Sequence, residues 1–369
     1  MDAAAAAPGG VRDSGPGRGP IFVVGSMRSG STMLRLILDS HPNIAIGPET
    51  GFMGAVRATK RIPNWKFGDQ WYARLGWTEA EIDALLRNFY GELFARHAAQ
   101  QGKQRWGDKT PFHTAHMDTM GQVFPDAVFV GIVRHPGAVA VSLRDSFSYG
   151  FGEALSYWAA TNLDMLRSAA ALGSRFVLCR YEDLVGESEP VLRKLVDWLG
   201  EPWSPDVLEH HRVQRDKGAP RVAEGSTITR DRIDPSRAMT WLDSITPADH
   251  EALQTYSELS EFVGYPPVDP SGTVARSTGA SGLLWDGDEV ARRQAQWAGR
   301  IDFDHRPPTL SIDASPEELA VRLEQVEQAL ARTRSRRSVR ASEAFRKIQR
   351  GRSLRDVREA WTVIRGLRH

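Results

Sequence analysis

The residues best suited to chemistry stand together in the run GSMRSGST, positions 25 to 32. Gly25 and Gly30 permit a tight turn, and Ser26, Ser29, Ser31 and Thr32 supply hydroxyls. Arg28 adds a fixed fork of N–H donors suited to a tetrahedral oxyanion. Such a turn between a strand and a helix presents free backbone N–H groups to an anion, with the helix dipole behind them. It is not the loop of a nucleotide-hydrolysing protein, because that loop is G-x-x-x-x-G-K-[ST] and Ser31 stands where its lysine would be. Farther along, Pro136 is suited to start a helix that carries Ser142 about two turns on, so that one phosphate can bridge Arg134 and Ser142. His113 and His116, at helical spacing, are either candidate bases or buried structural donors.

The elements that must hold these residues are legible as alternating patterns. IFVVG, from Ile21, is a β-branched and aromatic run ending at the loop, and MLRLILDSHP after it is apolar-periodic until His41-Pro42 stops the helix. NIAIGPE reads as a second strand leading to Glu49. Residues 65 to 105 read as helical, with TEAEIDALLRNFYGELFARHAAQ the clearest stretch and Thr78 its N-cap. AVFVGIV, residues 127 to 133, and RFVLCRYEDL, residues 175 to 184, read as buried parallel strands, and PVLRKLVDWLG as a helix ending at Gly200. Strands and helices in alternation predict an α/β fold, a P-loop-like doubly wound parallel sheet flanked by helices, with a C-terminal helical extension. In such a sheet ligands sit beyond the carboxyl ends of the strands, where the loop, Glu49, Arg134, Arg180 and Tyr181 all fall.

These segments resemble PAPS-dependent sulfotransferases, in particular the bacterial and tyrosylprotein-sulfotransferase branch. GSMRSGSTMLRLILDSHPNIAIGPET is similar to that branch's 5′-phosphosulfate segment, WGDKTPF at 106 to 112 to its N-K-D-P-F segment, and FVGIVRHPGAVAVS at 129 to 142 to its 3′-phosphate site. RYEDLV at 180 to 185 and EGST at 224 to 227 extend the likeness, which runs from about residue 20 to residue 265. The resemblance implies transfer of a sulfuryl group from 3′-phosphoadenosine 5′-phosphosulfate (PAPS) to an acceptor hydroxyl, with no metal. It implies Glu49 as general base, Arg28 and Lys109 as stabilisers of the transferred charge, and Ser26, Arg28, Ser29, Gly30, Ser31, Thr32, Arg134, Ser142, Tyr181 and Ser226 as cofactor contacts. The match is imperfect at Lys109, where this chain reads DKTP and Asp108 is left without a role; Glu49 could also pair with Arg28.

The bulk numbers bound the rest. In 369 residues, 47 basic and 46 acidic side chains nearly cancel, so nothing global points to nucleic acid. A single cysteine, Cys179, excludes an internal disulfide framework or a multi-thiolate zinc site and fits a cytoplasmic protein; in the middle of an apolar strand it reads as a buried small hydrophobe. Residues 1–19 read as a disordered leader, 20–268 as the sulfotransferase domain, 269–315 as a Pro/Gly/Ser-rich linker and irregular segment, and 316–369 as a basic helical extension. That extension, with Leu319, Leu323, Val326 and Leu330 at helical steps, is a candidate for homodimer formation and for contact with a partner or a membrane surface. For the acceptor, the segment Gly51 to Gln104, with Phe52, Trp65, Phe67, Trp71, Tyr72 and Trp77, is the expected pocket, with a lean toward a carbohydrate or glycolipid hydroxyl. The competing readings are a nucleotide kinase of the same fold, which needs the missing lysine, and a non-catalytic adaptor, which would not need Arg28, Arg134 or Glu49.

Overall fold

The structure, a computed structural model, describes residues 19–62, 65–216, 232–265 and 284–303. Ser226, residues 1–18 of the 1–19 leader and the 316–369 extension lie outside the described residues. Six strands form one sheet: β1 (Ile21–Val24), β2 (Ile44–Ile46), β3 (Arg105–Lys109), β4 (Val128–Val133), β5 (Phe176–Arg180) and β6 (Leu284–Asp286), in the order β2-β3-β1-β4-β5-β6. The first five are parallel and β6 is antiparallel to β5. The helices are α1 (Ser31–Asp39), α2 (Phe52–Lys60), α3 (Glu79–Gln100), α4 (Met117–Val123), α5 (Pro136–Phe147), α6 (Phe151–Leu172), α7 (Tyr181–Gly186), α8 (Ser188–Trp198), α9 (His210–Asp216), α10 (Pro247–Gln254), α11 (Ser257–Phe262) and α12 (Gly287–Trp297).

Successive strand residues feed two separate cores because side chains alternate across a pleated sheet. Ile21, Val23, Val128, Val130, Ile132, Val177 and Cys179 pack against α1, α7 and α8 on one face. Phe22, Val24, Phe129, Val133, Phe176 and Leu178 pack on the other, against α3, α4, α5 and α6. Both faces are covered, as a parallel sheet requires. The strand order reverses at β1, with β3 on one side of it and β4 on the other, and this switch point opens a crevice at the loop after β1.

Three expectations change. WGDKTPF, to which the sequence assigned no element, lies partly in the sheet: residues 105–109 form β3, and Lys109 is fully buried. Within 65–105 the continuous helix is only α3, preceded by a short 3-10 turn at Trp71–Leu75; Thr78 does cap α3, in a reciprocal capping box with Glu81. Residues 284–303, expected within the linker, belong to the core. There β6 extends the sheet beside β5 and α12 packs on α6, with Val290 fully buried.

Candidate active site

The loop after β1 is held by two side chains distant in sequence. Gly25 N–H donates to Thr114 Oγ1 (2.8 Å), Thr114 Oγ1 donates back to Gly25 O (3.1 Å), and Met27 N–H donates to the Tyr157 hydroxyl (3.1 Å). Inside the loop Ser29 Oγ donates to Ser26 O (2.7 Å). Gly30 caps α1 with φ of 97°, and a Cβ there would lie 2.5 Å from the Tyr181 ring, so both backbone and space demand glycine. No side chain caps α1 and no acidic residue sits in its first turn, which leaves that end disposed toward an anion.

Arg28 adopts the left-handed region, φ 66°, uncommon for a residue other than glycine, and its Nε donates to Ser142 Oγ on α5 (2.8 Å). Arg134 Nη1 donates to Arg28 O (3.3 Å), its Nη2 to Arg237 O (3.4 Å), and its guanidinium stacks 4.3 Å from the Tyr181 ring centre. Trp158 Nε1 donates to Arg134 O and fixes the backbone there (2.9 Å). Burial and then the Arg134 charge push the Arg28 pKa below its ordinary value. Two guanidiniums held this close repel until an anion joins them.

On the other side of the loop, Lys109 Nζ donates to Thr32 Oγ1 (3.1 Å) and to Glu49 Oε1. Glu49 therefore pairs with Lys109 rather than Arg28, because β3 lies between β2 and β1 and delivers the lysine to the gap between them. Asp108 also acquires a role. It accepts from Thr50 Oγ1 (2.8 Å) and Thr110 Oγ1 (3.1 Å) and lies 2.9 Å from His113 Nδ1, while His113 Nε2 accepts from Met53 N–H (3.3 Å). This buried cluster clamps the backbone that carries Glu49. His116 contacts Arg57, and burial, then Arg57 and His113, lower its pKa to about 4.

A cleft of about 470 Å³ opens beside the loop. Met27, Arg28, Ser31, Thr32 and Glu49 form its floor; Pro111, Phe112, Phe147 and Tyr157 are its apolar walls, and Thr161 and Asp164 add polar groups. No residue of 51–104 lines it: Phe52 and Tyr72 are core residues, while Trp65, Phe67 and Trp77 are exposed elsewhere. The wall from α6 was missed in the sequence, although Tyr157, Thr161 and Asp164 lie at i, i+4 and i+7, one polar stripe on a largely apolar helix. Neither His113 nor His116 lines the cleft; Glu49 does. Arg180, expected at the ligand edge, instead forms a buried fork with Asp183 (2.6 and 3.0 Å) and donates to Gly264 O. Cys179 is buried in β5 as expected, and burial drives its thiol pKa upward. Among the described residues, no cluster of three or more His, Cys, Asp or Glu side chains could hold a metal.

A switch-point crevice with a glycine-bounded loop, two converging guanidiniums and a lysine–carboxylate pair defines an anion-handling α/β enzyme of the P-loop-like class. Residues 20–205 match the model of the sulfotransferase family, and the chain belongs to that family as a PAPS-dependent transferase. It is 26% identical over 261 residues to protein-tyrosine sulfotransferase 1 of Danio rerio, covering 68% of this chain and 67% of the relative. Its identity to protein-tyrosine sulfotransferase A of Caenorhabditis elegans is also 26%, over 301 residues, 75% of this chain and 74% of the relative. Among solved structures, the sulfotransferase domain of the Synechococcus PCC 7002 olefin synthase superposes with a TM-score of 0.45 at 24% identity, covering 66% of this chain and 96% of that one.

Proposed function

We propose that this sulfotransferase uses Glu49 as general base on an acceptor hydroxyl in the cleft, with Lys109 and Arg28 stabilising the charge that moves, and that the acceptor is a phenol. One observation carries the reading: the Lys109 ammonium reaches both Thr32 of the anion loop and Glu49 at the cleft floor, joining the two halves of a transfer site.

PAPS supplies the electrophilic sulfuryl group when bound, and the residues present fit it. Ser26 Oγ and Arg134 Nε are buried without hydrogen-bond partners, an arrangement costly unless a ligand supplies acceptors. Ser26, Arg28, Ser29, Gly30, Ser31 and Thr32 would hold the 5′-phosphosulfate. Arg134 and Ser142 would hold the 3′-phosphate, because Ser142 accepts from Arg28 and so keeps its own O–H to donate. Tyr181, stacked under Arg134, would wall the nucleotide. Transfer of a sulfuryl group, like that of a phosphoryl group, is governed by positioning and electrostatics. Glu49 would take the acceptor's proton as the acceptor oxygen bonds to sulfur and the sulfur's bond to the 5′-phosphate oxygen breaks, releasing 3′-phosphoadenosine 5′-phosphate, and Lys109, already in contact with Glu49, is placed to stabilise the charge on the transferred oxygens.

Phe112, Phe147, Tyr157 and Met27 give the cleft flat or soft apolar walls of the kind that pack on a phenol ring. Protein-tyrosine substrates of the relatives agree with this assignment. A carbohydrate hydroxyl is the second reading, supported by Thr161 and Asp164, which offer a sugar's other hydroxyls partners in the same cleft. Calorimetric titration with 3′-phosphoadenosine 5′-phosphate, on the wild type and on Arg134→Ala, tests the cofactor site, with ATP and Mg²⁺ as control. Tight binding that falls by about 10- to 100-fold in the variant is expected; absence of binding to the folded wild type would refute it. A parallel assay of sulfate transfer from PAPS to tyrosine peptides and to oligosaccharides assigns the acceptor, and transfer to sugars alone would replace the phenol reading.

A further inference from the structure

One inward-facing acid has no part in the proposed transfer. Glu182, in the first turn of α7, turns its carboxyl between the end of β4 and Tyr265, which follows α11. Its Oε1 accepts the His135 N–H (3.1 Å), and its Oε2 lies 2.5 Å from the Tyr265 hydroxyl, which itself lies 3.2 Å from Val133 O. The pair therefore holds the peptide units on both sides of Arg134, and Trp158 Nε1 donates to the carbonyl of the second.

Counting protons fixes the state of the acid. The Tyr265 hydroxyl has one proton and faces two oxygens, Glu182 Oε2 and Val133 O. With a carboxylate, one of those oxygens goes without a donor. A protonated carboxyl instead donates from Oε2 to the phenol oxygen and frees the phenol's proton for Val133 O. The surroundings agree: the titratable groups facing the pair are Arg134 and His135 after β4, Cys179 and Arg180 at the end of β5, and Tyr181 and Asp183 on α7. Arg180 is committed to Asp183, and among the described residues no cation lies within ion-pair distance of Glu182. Burial raises the pKa of this carboxyl above its ordinary value, outweighing the Tyr265 hydroxyl, the Arg134 charge and the His135 N–H, which lower it. We infer that Glu182 is an uncharged carboxylic acid in the folded protein and, with Tyr265, a positioning residue for Arg134. An ionised carboxylate here would compete for the Arg134 charge and repel the anion that Arg134 is to hold, whereas the protonated acid grips the backbone and leaves that charge to the ligand. The positioning role rests on the proposed 3′-phosphate contact of Arg134; the protonation state does not.

Two measurements on the full chain test the pair of claims. Infrared difference spectra between the wild type and Glu182→Gln at about pH 7.5, where an unperturbed glutamate is ionised, should show a protonated-carboxyl stretch that the variant lacks; a carboxylate band in its place overturns the protonation state. Calorimetric titration with 3′-phosphoadenosine 5′-phosphate and with adenosine 5′-phosphate, which lacks the 3′-phosphate, separates positioning from general damage. Glutamine reproduces the acid's one acceptor and its donor, so Glu182→Gln should bind the diphosphate within about 2-fold of the wild type. Glu182→Leu should bind it about 10-fold more weakly and Tyr265→Phe about 3-fold more weakly, both with the monophosphate unchanged. Equal losses for the two nucleotides overturn the positioning role, as does a Glu182→Gln that binds the diphosphate no better than Glu182→Leu. A wild type in which the 3′-phosphate adds no affinity would overturn the cofactor reading and the positioning role together, while the infrared band still decides the state of the acid.

Discussion

Lys109 has no exposed surface, yet its ammonium ends between a loop hydroxyl and a carboxylate that line the cleft. A buried ammonium is retained only where partners compensate its desolvation, so Lys109→Ala should reach beyond the loss of one contact. The expected result is a fall in kcat of about 100- to 1,000-fold with product affinity changed far less, since the lysine is proposed to act on charge in the transition state. Equal losses in kcat and in product binding would instead make it a binding residue. His135 supports a different prediction. Its Nδ1 accepts the Gly137 N–H at the start of α5, its ring stacks 4.4 Å from Trp241, and burial followed by the Arg134 charge pushes its pKa down to about 3. The unfolded chain binds a proton here near pH 6.5 and the folded chain does not until about pH 3. Stability is therefore lost as pH falls through that window, by about 1 kcal/mol per pH unit below 6. Urea midpoints at pH 7, 6 and 5 for the wild type and His135→Gln measure this, and the variant should show the shallower decline.

Among the elements, the β1–α1 turn makes the strictest demand on sequence. Gly30→Ala forces a methyl to within 2.5 Å of the Tyr181 ring at a φ of 97°, and both problems fall on the loop proposed to carry the phosphosulfate. A loss of about 1–3 kcal/mol in stability, with weakened product binding, is expected from chemical denaturation and calorimetry; unaltered values would show that the turn yields easily. This turn was legible from sequence because glycines, hydroxyls and an apolar helix follow a β-branched run, as were β1, β4 and β5, whose burial on both faces leaves continuous apolar text. The interior strand β3 was hidden. RWGDK reads as polar, but Arg105 buries its guanidinium against the Gly19 carbonyl and Glu201, while Lys109 finds Glu49, and no local pattern announces partners so distant in sequence. The same reason concealed the role of Asp108 and the cleft wall on α5 and α6. Those residues meet the loop only because the sheet order places β4 beside β1 and the helices after it over the crevice.

For the whole molecule, the Pro/Gly/Ser-rich stretch after residue 268 suggested that the domain ended there, yet the chain returns to close the sheet. Leu284–Asp286 pair with Cys179, Leu178 and Val177, covering an edge of β5 that would otherwise present unpaired backbone groups. From α12, Gln294 Nε2 donates to Leu166 O and Arg293 Nη2 to Phe262 O, both at 2.8 Å, and Val290 fills the space between α12 and the core. Gly287 seats this segment closely, since a Cβ there would lie 2.3 Å from Gly173 O. Val290, Ile301 and Phe303 together bury apolar surface worth about 1.5–3 kcal/mol each, an amount comparable to much of a domain's net stability. A chain ending at residue 303 should therefore keep these contacts. One ending at residue 268 should lose several kcal/mol and tend to associate through the bared β5 edge. Equal midpoints for the two truncations would show that the returning segment decorates the sheet, and that residues up to 268 contain all the stabilising contacts the catalytic domain needs.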